Sequence, residues 1–559
     1  MRATKMNKTI SVARLFLAPV LALLLAAAAH ATAPGIQGNS FSLTASAAYL
    51  NQPDGAAVYS WGYGCTGGTP GSAAFVPSGL TTTPFCTVMQ VPGPTLVVTE
   101  GQSITITLTN ALPTSAGNTS ILFPGFHVAT SGGVAGLLTQ EAAPGGTVMY
   151  TLTGFTPGTH AYYSGTQGDL QVEMGLYGAI IVLPLNPPAN CASTVTNLYG
   201  KADWATANNI PGAPEQDFRL ATAAYDHPDS CYDREYLFQF SEMDPNIHNQ
   251  AYAQVKANTG CVAGAAGCSL NVPTEPYHPA YFMINGRSMP DDMDSNYAIE
   301  YPHQPYNGDP HMHPGEQVLL RIIGQGRWQH PFHEHGNHVR ILGRDGNLIV
   351  SNTTSTLSYG GTTGTPLAGP LFFTTTTTPG LAMDGIFYWS GRGLNWDAYG
   401  HNPISSDTSA KLPCTADTNG YYTGDSTALN YYEWCQDHDK PLEVAPFGDV
   451  AAGGPATLPD PNILTNGAWY GGSPYLGPNA TTRDTGCTHG TPQPTNGCGQ
   501  TGSTPPSGTI ANSPSTEAGF AFMWHSHNER EITTNNIFPG GMLMMMLVDS
   551  REFVIDETN

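Results

Sequence analysis

The most informative stretch of the chain is HPFHEHGNH at residues 330–338, and a similar motif, WHSH, occurs at residues 524–527. Alternate residues of a β-strand point to the same face, so each His-x-His pair presents two imidazoles side by side. Two such pairs on neighbouring strands can build one metal site, and neutral imidazole suits copper, zinc, iron or nickel. The candidate ligands are His333, His335, His525 and His527, with His330 and His338 as neighbours.

The alternative interpretation is that these imidazoles only form hydrogen bonds at a domain interface. Four imidazoles held together without a metal would repel one another when protonated and would leave polar atoms in need of partners. Metal binding is therefore the favoured interpretation. Copper is favoured over zinc because it stands at the top of the divalent affinity order for nitrogen ligands.

The N-terminal segment has the pattern of a secretory signal peptide. Four basic residues precede a short apolar run at 15–29, and Ala29-His30-Ala31 fits a cleavage site. The alternative, a membrane anchor, is disfavoured because the run is short for a span. The sequence thus predicts a signal peptide at 1–31 and a secreted protein, periplasmic or extracellular.

Composition narrows the class of protein further. The formal net charge is −23, which disfavours nucleic acid and anionic membranes as partners. Charged residues are scarce at 11 %, whereas glycine and proline are abundant, as is typical of an all-β chain with many turns. No window has a clean helical period, and no later segment is apolar enough for a membrane span.

Ten cysteines remain after export, an even number in an oxidising compartment, so disulfides are expected. Pairing of neighbours would close five short loops, but the sequence leaves the connectivity open. Metal thiolates are the weaker alternative because no C-x-x-C pair occurs. The cysteines are Cys65, Cys86, Cys191, Cys231, Cys261, Cys268, Cys414, Cys435, Cys487 and Cys498.

Strand patterns divide the chain into two regions. Residues 95–99 and 103–109 alternate as a hairpin should, and they lie in a predicted first domain at 32–186. A linker at 187–233 leads to a predicted second domain at 234–549. An insertion at about 402–516 interrupts this domain, and its cysteines indicate a stapled surface loop. A disordered linker is the alternative for its last part.

Taken in order, several motifs resemble those of the multicopper oxidase family over most of the mature chain. This resemblance implies two cupredoxin-like Greek-key β-sandwich domains, the second with long disulfide-stapled loop insertions. The motifs are PGPTL at 92–96, the segment 158–178, INGRS at 284–288, the histidine stretch at 330–338, the segment 385–401, HSH at 525–527 and Gly541-Met542.

The resemblance also implies copper sites, and the sequence departs from them in the first domain. The family builds a mononuclear blue site and a three-copper cluster that draws on four His-x-His pairs. Where the first domain should supply two pairs, this chain has LFPG at 122–125 and YSG at 163–165. His127 and His160 are out of register and are more typical of surface or hydrogen-bonded histidines.

The second domain keeps its pairs but not the blue site. By resemblance the four candidate ligands match cluster positions, and His330 matches a histidine of the blue site. Ser526 replaces the thiolate ligand, and Glu531 stands where the second histidine should be. Met542 matches the weak axial ligand but is more typical of packing. His311-Met312-His313 is a weaker metal candidate because the following Pro-Gly is typical of a turn.

These losses predict a degenerate member of the family with one copper ion rather than four. The first hypothesis is a secreted copper-binding protein with reduced oxidoreductase capability, acting on a small molecule or a metal ion. The alternative is a non-enzymatic extracellular metal-binding or structural scaffold. Two-domain relatives of the family often form trimers, so the resemblance also implies that this chain could assemble as a homotrimer.

Overall fold

A computed structural model describes much of the chain. The predicted signal peptide and most of the predicted insertion lie outside the described residues, as do Cys414, Cys487 and Cys498. The described residues are 33–66, 73–76, 86–191, 218–357, 363–389, 391, 415–424, 432, 434–436, 473–476, 510–511, 518–549 and 555.

The first half is built from strands β1 to β12, which form two five-stranded sheets and a small hairpin. One sheet has the order β11-β12-β5-β1-β4, the other β3-β2-β6-β10-β7, and β8 pairs with β9. The strands are Gly35–Gln37, Ser40–Asn51, Ala57–Cys65, Ala74–Val76, Leu96–Thr99, Ile104–Asn110, His127–Gly132, Val134–Ala135, Gln140–Glu141, Thr147–Thr153, Gly158–Tyr163 and Tyr177–Leu183.

The predicted hairpin at 95–109 is wrong, because its two strands belong to different sheets. β5 pairs in parallel with β1 and β12, whereas β6 pairs with β2 and β10. Three of the four residues of β5 are buried in succession, while β6 alternates buried and half-buried residues. The turn at Gly101 therefore crosses between two facing sheets, and the core lies between them.

The second half is built from strands β13 to β28, which form two seven-stranded sheets and a small hairpin. One sheet contains β14-β13-β16-β24-β18-β19, and the other contains β15-β28-β27-β17-β23. The strands are Arg234–Met243, Tyr281–Ile284, His311–Met312, Gln317–Gly324, His330–His333, Val339–Arg344, Asn347–Leu348, Ser355–Thr356, Thr363–Gly364, Leu371–Phe372, Thr374–Thr377, Ala382–Tyr388, Ser473–Leu476, Ile510–Ala511, Ala518–Ser526 and Leu543–Asp549.

The prediction of an all-β fold of the cupredoxin-like sandwich type is confirmed, with two local corrections. His311–Met312 is strand β15, paired in parallel with β28, rather than part of a turn. A 13-residue helix, Pro245–Ala257, also occurs where no helix was expected. The sequence does contain a helix-start signal here, since Asp244 caps the helix and Pro245 occupies its first turn.

The remaining helices of the described residues are short. They comprise the α-helix Gly168–Gln171 and the 3-10 turns Thr114–Ala116, Pro228–Ser230 and Asp291–Met293. No described helix is long and apolar enough to cross a membrane.

A buried polar cluster joins the two halves. In the second half, Arg321 donates to Glu235 at 2.8 Å and lies 3.4 Å from Asp384. In the first half, Thr159 donates its hydroxyl to Asp384 at 2.6 Å and its backbone N–H at 2.9 Å. Tyr225, in the segment between the two halves, donates to the same carboxylate at 2.7 Å. Asp384 is thus satisfied from both halves, as a buried charge must be.

Three disulfides occur, as the sequence analysis expected, and each joins two cysteines that are neighbours in the sequence. They are Cys65–Cys86, Cys191–Cys231 and Cys261–Cys268. Cys435 is also disulfide-bonded, and no cysteine among the described residues is free. The domain boundaries at 186 and 234 stay a prediction.

Candidate metal centre

Strands β17 and β27 carry the two His-x-His motifs and are directly paired. They run antiparallel, with His333 opposite His525 and Phe332 opposite Ser526. The backbone N–H of His527 adds a further bond to the carbonyl of Pro331 at 2.8 Å. Because strand residues alternate in direction, the histidines face one side of the pair and Phe332 and Ser526 face the other.

Four of the six candidate histidines meet on that side, and we call His333, His335, His525 and His527 the histidine quartet. One ring nitrogen from each of the first three lies within 4.8 Å of the others. The ring of His527 is centred 5.0 Å from that of His333 and 5.8 Å from that of His525. The first three are half-buried and His527 is exposed, so the quartet opens toward solvent.

The quartet favours neutral imidazoles. Burial lowers the pKa of His333 to about 4, and repulsion from the other imidazoles acts in the same direction. The pKa values of His335 and His525 are also lowered by burial and by neighbouring imidazoles. At neutral pH the rings of His333, His335 and His525 therefore each keep a lone pair that can bind a metal.

Hydrogen bonds at Nδ1 orient two of these rings. Nδ1 of His525 donates to the carbonyl of Ser526 at 2.7 Å, which leaves its Nε2 as the free lone pair. Nδ1 of His333 lies 2.9 Å from the hydroxyl of Thr374. Contacts of this kind commonly fix the ring orientation of metal-binding histidines. Nδ1 of His335 is buried and has no hydrogen-bond partner among the described residues.

His330 and His338, which the sequence placed beside the four candidate ligands, lie outside the quartet. His330 lies 2.9 Å from Glu531 through Nδ1 and 2.9 Å from Glu242 through Nε2, so no ring nitrogen is left for a metal. These carboxylates raise its pKa to about 9 despite the opposing effect of burial. The ring of His338 packs against Phe373, with centroids 5.4 Å apart.

Two glutamates near the histidines were missed by the sequence analysis. Glu334, between two quartet members, is fully buried, and burial raises the pKa of its carboxyl to about 8. It accepts a hydrogen bond from Thr375 at 2.8 Å. Its position inside the motif was a visible signal. No signal in the sequence pointed to Glu242, because only the fold brings it to His330, which is 88 residues away.

The first half contributes no histidine to this centre among the described residues. His160 is buried and lies 3.2 Å from the carbonyl of Thr156, and burial lowers its pKa. His127 lies on the exposed strand β7. Both therefore have the surface or hydrogen-bonded placement that their sequence register indicated.

Comparison with known proteins confirms the resemblance to the multicopper oxidase family. Residues 74–187 match the family model described as multicopper oxidase. Laccase-3 of Botryotinia fuckeliana is 34 % identical over 120 residues, which are 20 % of this chain and 24 % of that protein. A copper-containing nitrite reductase of Pseudomonas chlororaphis is 36 % identical over 100 residues, 17 % of this chain and 25 % of that one.

The matched segments span about a quarter of the length of these two curated relatives. Among solved structures, the blue copper oxidase from Nitrosomonas europaea aligns with 91 % of this chain and 85 % of its own, at 14 % identity and a TM-score of 0.41. The family match at 74–187 lies in the half that lacks the histidine pairs.

Proposed function

We propose that this protein is a secreted copper-binding relative of the multicopper oxidases that holds one copper ion in the histidine quartet and has no blue copper centre. The observation that carries the proposal is the convergence of three ring nitrogens within 4.8 Å, with a fourth imidazole beside them. The donor set is all imidazole, which fits copper and also zinc.

The quartet fits a metal for two further reasons. The lowered pKa values of His333, His335 and His525 keep these three imidazoles unprotonated at neutral pH, so a metal does not have to displace protons from them. The buried Nδ1 of His335 lacks a protein partner among the described residues, and a metal ion would supply one. Bound copper would supply one-electron redox chemistry. The chain's own residues would orient the imidazoles through Thr374 and the carbonyl of Ser526.

A blue centre does not fit the residues on the other side of the strand pair. Ser526 offers a hydroxyl instead of a thiolate, and it donates to Glu531 at 2.5 Å. His330 uses both ring nitrogens on carboxylates. The proposed oxidoreductase activity is therefore reduced relative to a four-copper enzyme, and its substrate class is a small molecule or a metal ion that reaches the open side of the quartet.

The second candidate is a non-enzymatic metal-binding scaffold. The observation that favours it is the absence, among the described residues, of a thiolate beside the quartet that could deliver electrons. Metal content alone cannot separate the two candidates, so oxygen consumption with a reducing substrate is measured on the same copper-loaded samples. Consumption that depends on the quartet supports the oxidoreductase, and its absence supports the scaffold.

The central test is copper content after anaerobic loading and desalting. We expect about one copper per chain in the wild type and a sharp loss in His333→Ala and in His525→Ala. His303→Ala is the matched control, because His303 lies outside the quartet and bonds the carbonyl of Met89 at 2.6 Å. If the wild type and both quartet variants retain equally little copper, the proposal fails.

We also propose that the chain assembles as a homotrimer, as two-domain relatives often do. Mass measurement of the secreted protein by light scattering tests this, and the mass of a single chain would refute it. N-terminal sequencing of the same material tests the signal peptide, since cleavage after residue 31 is expected.

A further inference from the structure

A chain of buried polar side chains runs beneath the histidine quartet, on the opposite face of β17 and β27. It links the strand that carries the quartet to the first half of the molecule. Each member is buried, and each contacts the next through hydrogen bonds or a close ionic approach. The members in order are Ser526, Glu531, His330, Glu242, Tyr277, Glu173 and His248.

The geometry at His330 decides its protonation state. A neutral imidazole carries one N–H, but both ring nitrogens of His330 lie 2.9 Å from carboxylate oxygens. Glu242 already accepts from the backbone N–H groups of Arg327 and Trp328, each at 2.8 Å. Glu531 accepts from Ser526 and from Asn528. Both carboxylates are thus placed as ionised acceptors, and both protons belong on the ring.

The same carboxylate that holds His330 also holds the quartet's strand. Oε2 of Glu531 accepts from Nδ1 of His330 and from the hydroxyl of Ser526, the residue between His525 and His527. Oε1 of Glu531 accepts from the side chain of Asn528 at 2.9 Å. Glu531 therefore closes the turn that follows His527, and its own position depends on the ring of His330.

We propose that His330 is a positioning residue: a doubly protonated imidazole whose positive charge anchors Glu242 and Glu531, so that Glu531 holds Ser526 and, with it, His525 and His527. The clamp formed by Glu242, His330 and Glu531 is a property of the metal-free protein. It goes beyond the proposed function, and it stands whether or not the quartet binds copper.

A second arrangement of the same kind supplies a matched control. His311 lies 2.7 Å from Asp549 through Nδ1 and 3.1 Å from Asp309 through Nε2. Asp549 is the last residue of β28 and pairs with Gly519, at the far end of β27 from the quartet. Disturbing His311 should therefore affect the other end of the same strand pair.

The first experiment measures the protonation of His330 directly. The metal-free full chain is labelled with nitrogen-15 in its histidines, and the signals of His330 are assigned by their absence in His330→Gln. At a pH of about 7.5, where an ordinary histidine is mostly neutral, we expect both ring nitrogens of His330 to carry protons. A ring with a single protonated nitrogen would overturn the proposal.

The second experiment measures the positioning effect by hydrogen exchange of the metal-free protein. In His330→Gln the amides of residues 525–531 should exchange about tenfold faster, since a charge-assisted hydrogen bond is lost there. In His311→Gln the increase should fall on residues 547–549 instead. Unchanged exchange at 525–531 in His330→Gln overturns the positioning role.

A third variant covers the case in which His330→Gln fails to fold. Glu531→Gln keeps the size of the side chain and removes its charge, and it should give a similar local increase at 525–531. No increase there refutes the clamp. None of these readouts requires copper, so a failure of the quartet to bind metal would be seen separately from a failure of this proposal.

Discussion

The two faces of the β17–β27 strand pair carry histidines of opposite character. On one face, the hydrogen-bond partners of His333 and His525 are a hydroxyl and a backbone carbonyl, and burial lowers the pKa of His333 to about 4. On the other face, His330 sits between two glutamates, and its pKa is raised to about 9. Burial lowers the pKa of both His333 and His330, so the contrast shows that neighbouring charge decides whether such an imidazole stays neutral or becomes a cation.

The largest expected effect is the release of all bound copper on acidification. Burial lowers the pKa of His333 to about 4 and also lowers the pKa values of His335 and His525. Protons therefore compete with the metal for these three ligands only at low pH, so copper should stay bound down to a pH of about 5 and leave as the pH approaches about 4. Copper content after desalting at a series of pH values measures this. Half-release near a pH of about 6.5, the ordinary histidine range, would show that the quartet does not differ from free imidazoles.

The next largest effect concerns the stability of the opposite face. Glu242→Leu should lower the free energy of unfolding of the metal-free protein by about 3–5 kcal/mol, because it leaves His330 as a buried charge with one partner removed. Urea unfolding measures the change. His527→Leu is the control on the exposed side, with an expected change within about 0.5 kcal/mol. Similar losses in the two variants would contradict the contrast between the faces.

A smaller effect is the pH dependence that His330 adds to stability. Its folded pKa is about 9, above the ordinary histidine value of 6.5, so the stabilisation is fully present below a pH of about 6.5 and is lost as the pH rises through about 9. The difference in unfolding free energy between the wild type and His330→Gln should therefore shrink by about 2–3 kcal/mol from pH 6 to pH 10. A difference that grows with pH would reverse the assigned charge.

The smallest expected effect is a null result in the visible spectrum. Ser526→Cys should not produce an intense blue absorption after copper loading, because Glu531 still occupies the place of the second histidine and His330 has both nitrogens engaged. Absorption spectroscopy of the loaded variant checks this. A strong blue band would mean that His330 can leave its carboxylate partners and bind copper together with the new cysteine.

Much of the candidate site was readable from strand periodicity. His333 and His335 are two residues apart, as are His525 and His527, and the structure brings these four together. His330 is three residues from His333, so alternation places it on the other side of the strand, a distinction that the sequence analysis did not draw. The sequence could not identify its partners, because Glu242 and Glu531 lie 88 and 201 residues away and only the tertiary fold unites them.

The fold was predictable in class but not in strand pairing. Alternation identified β5 and β6 as strands, but a short turn can join either neighbours in one sheet or strands of two facing sheets. The continuous apolar run Leu96-Val97-Val98 was the sequence signal for the second case, and the structure buries all three residues. The helix after Asp244 was missed because its apolar face is weak, although its capping residue and proline were present.

Asp384 makes contacts with both halves of the molecule, which constrains how the two halves can change during evolution. Its carboxylate accepts from Thr159 in the first half while it faces Arg321 in the second. A change at position 159 that removes the hydroxyl leaves a buried acid short of a donor, so selection would act on position 384 at the same time. Across descendants of this chain we therefore expect residues 159 and 384 to change together, and recombination that exchanges one half alone to be disfavoured.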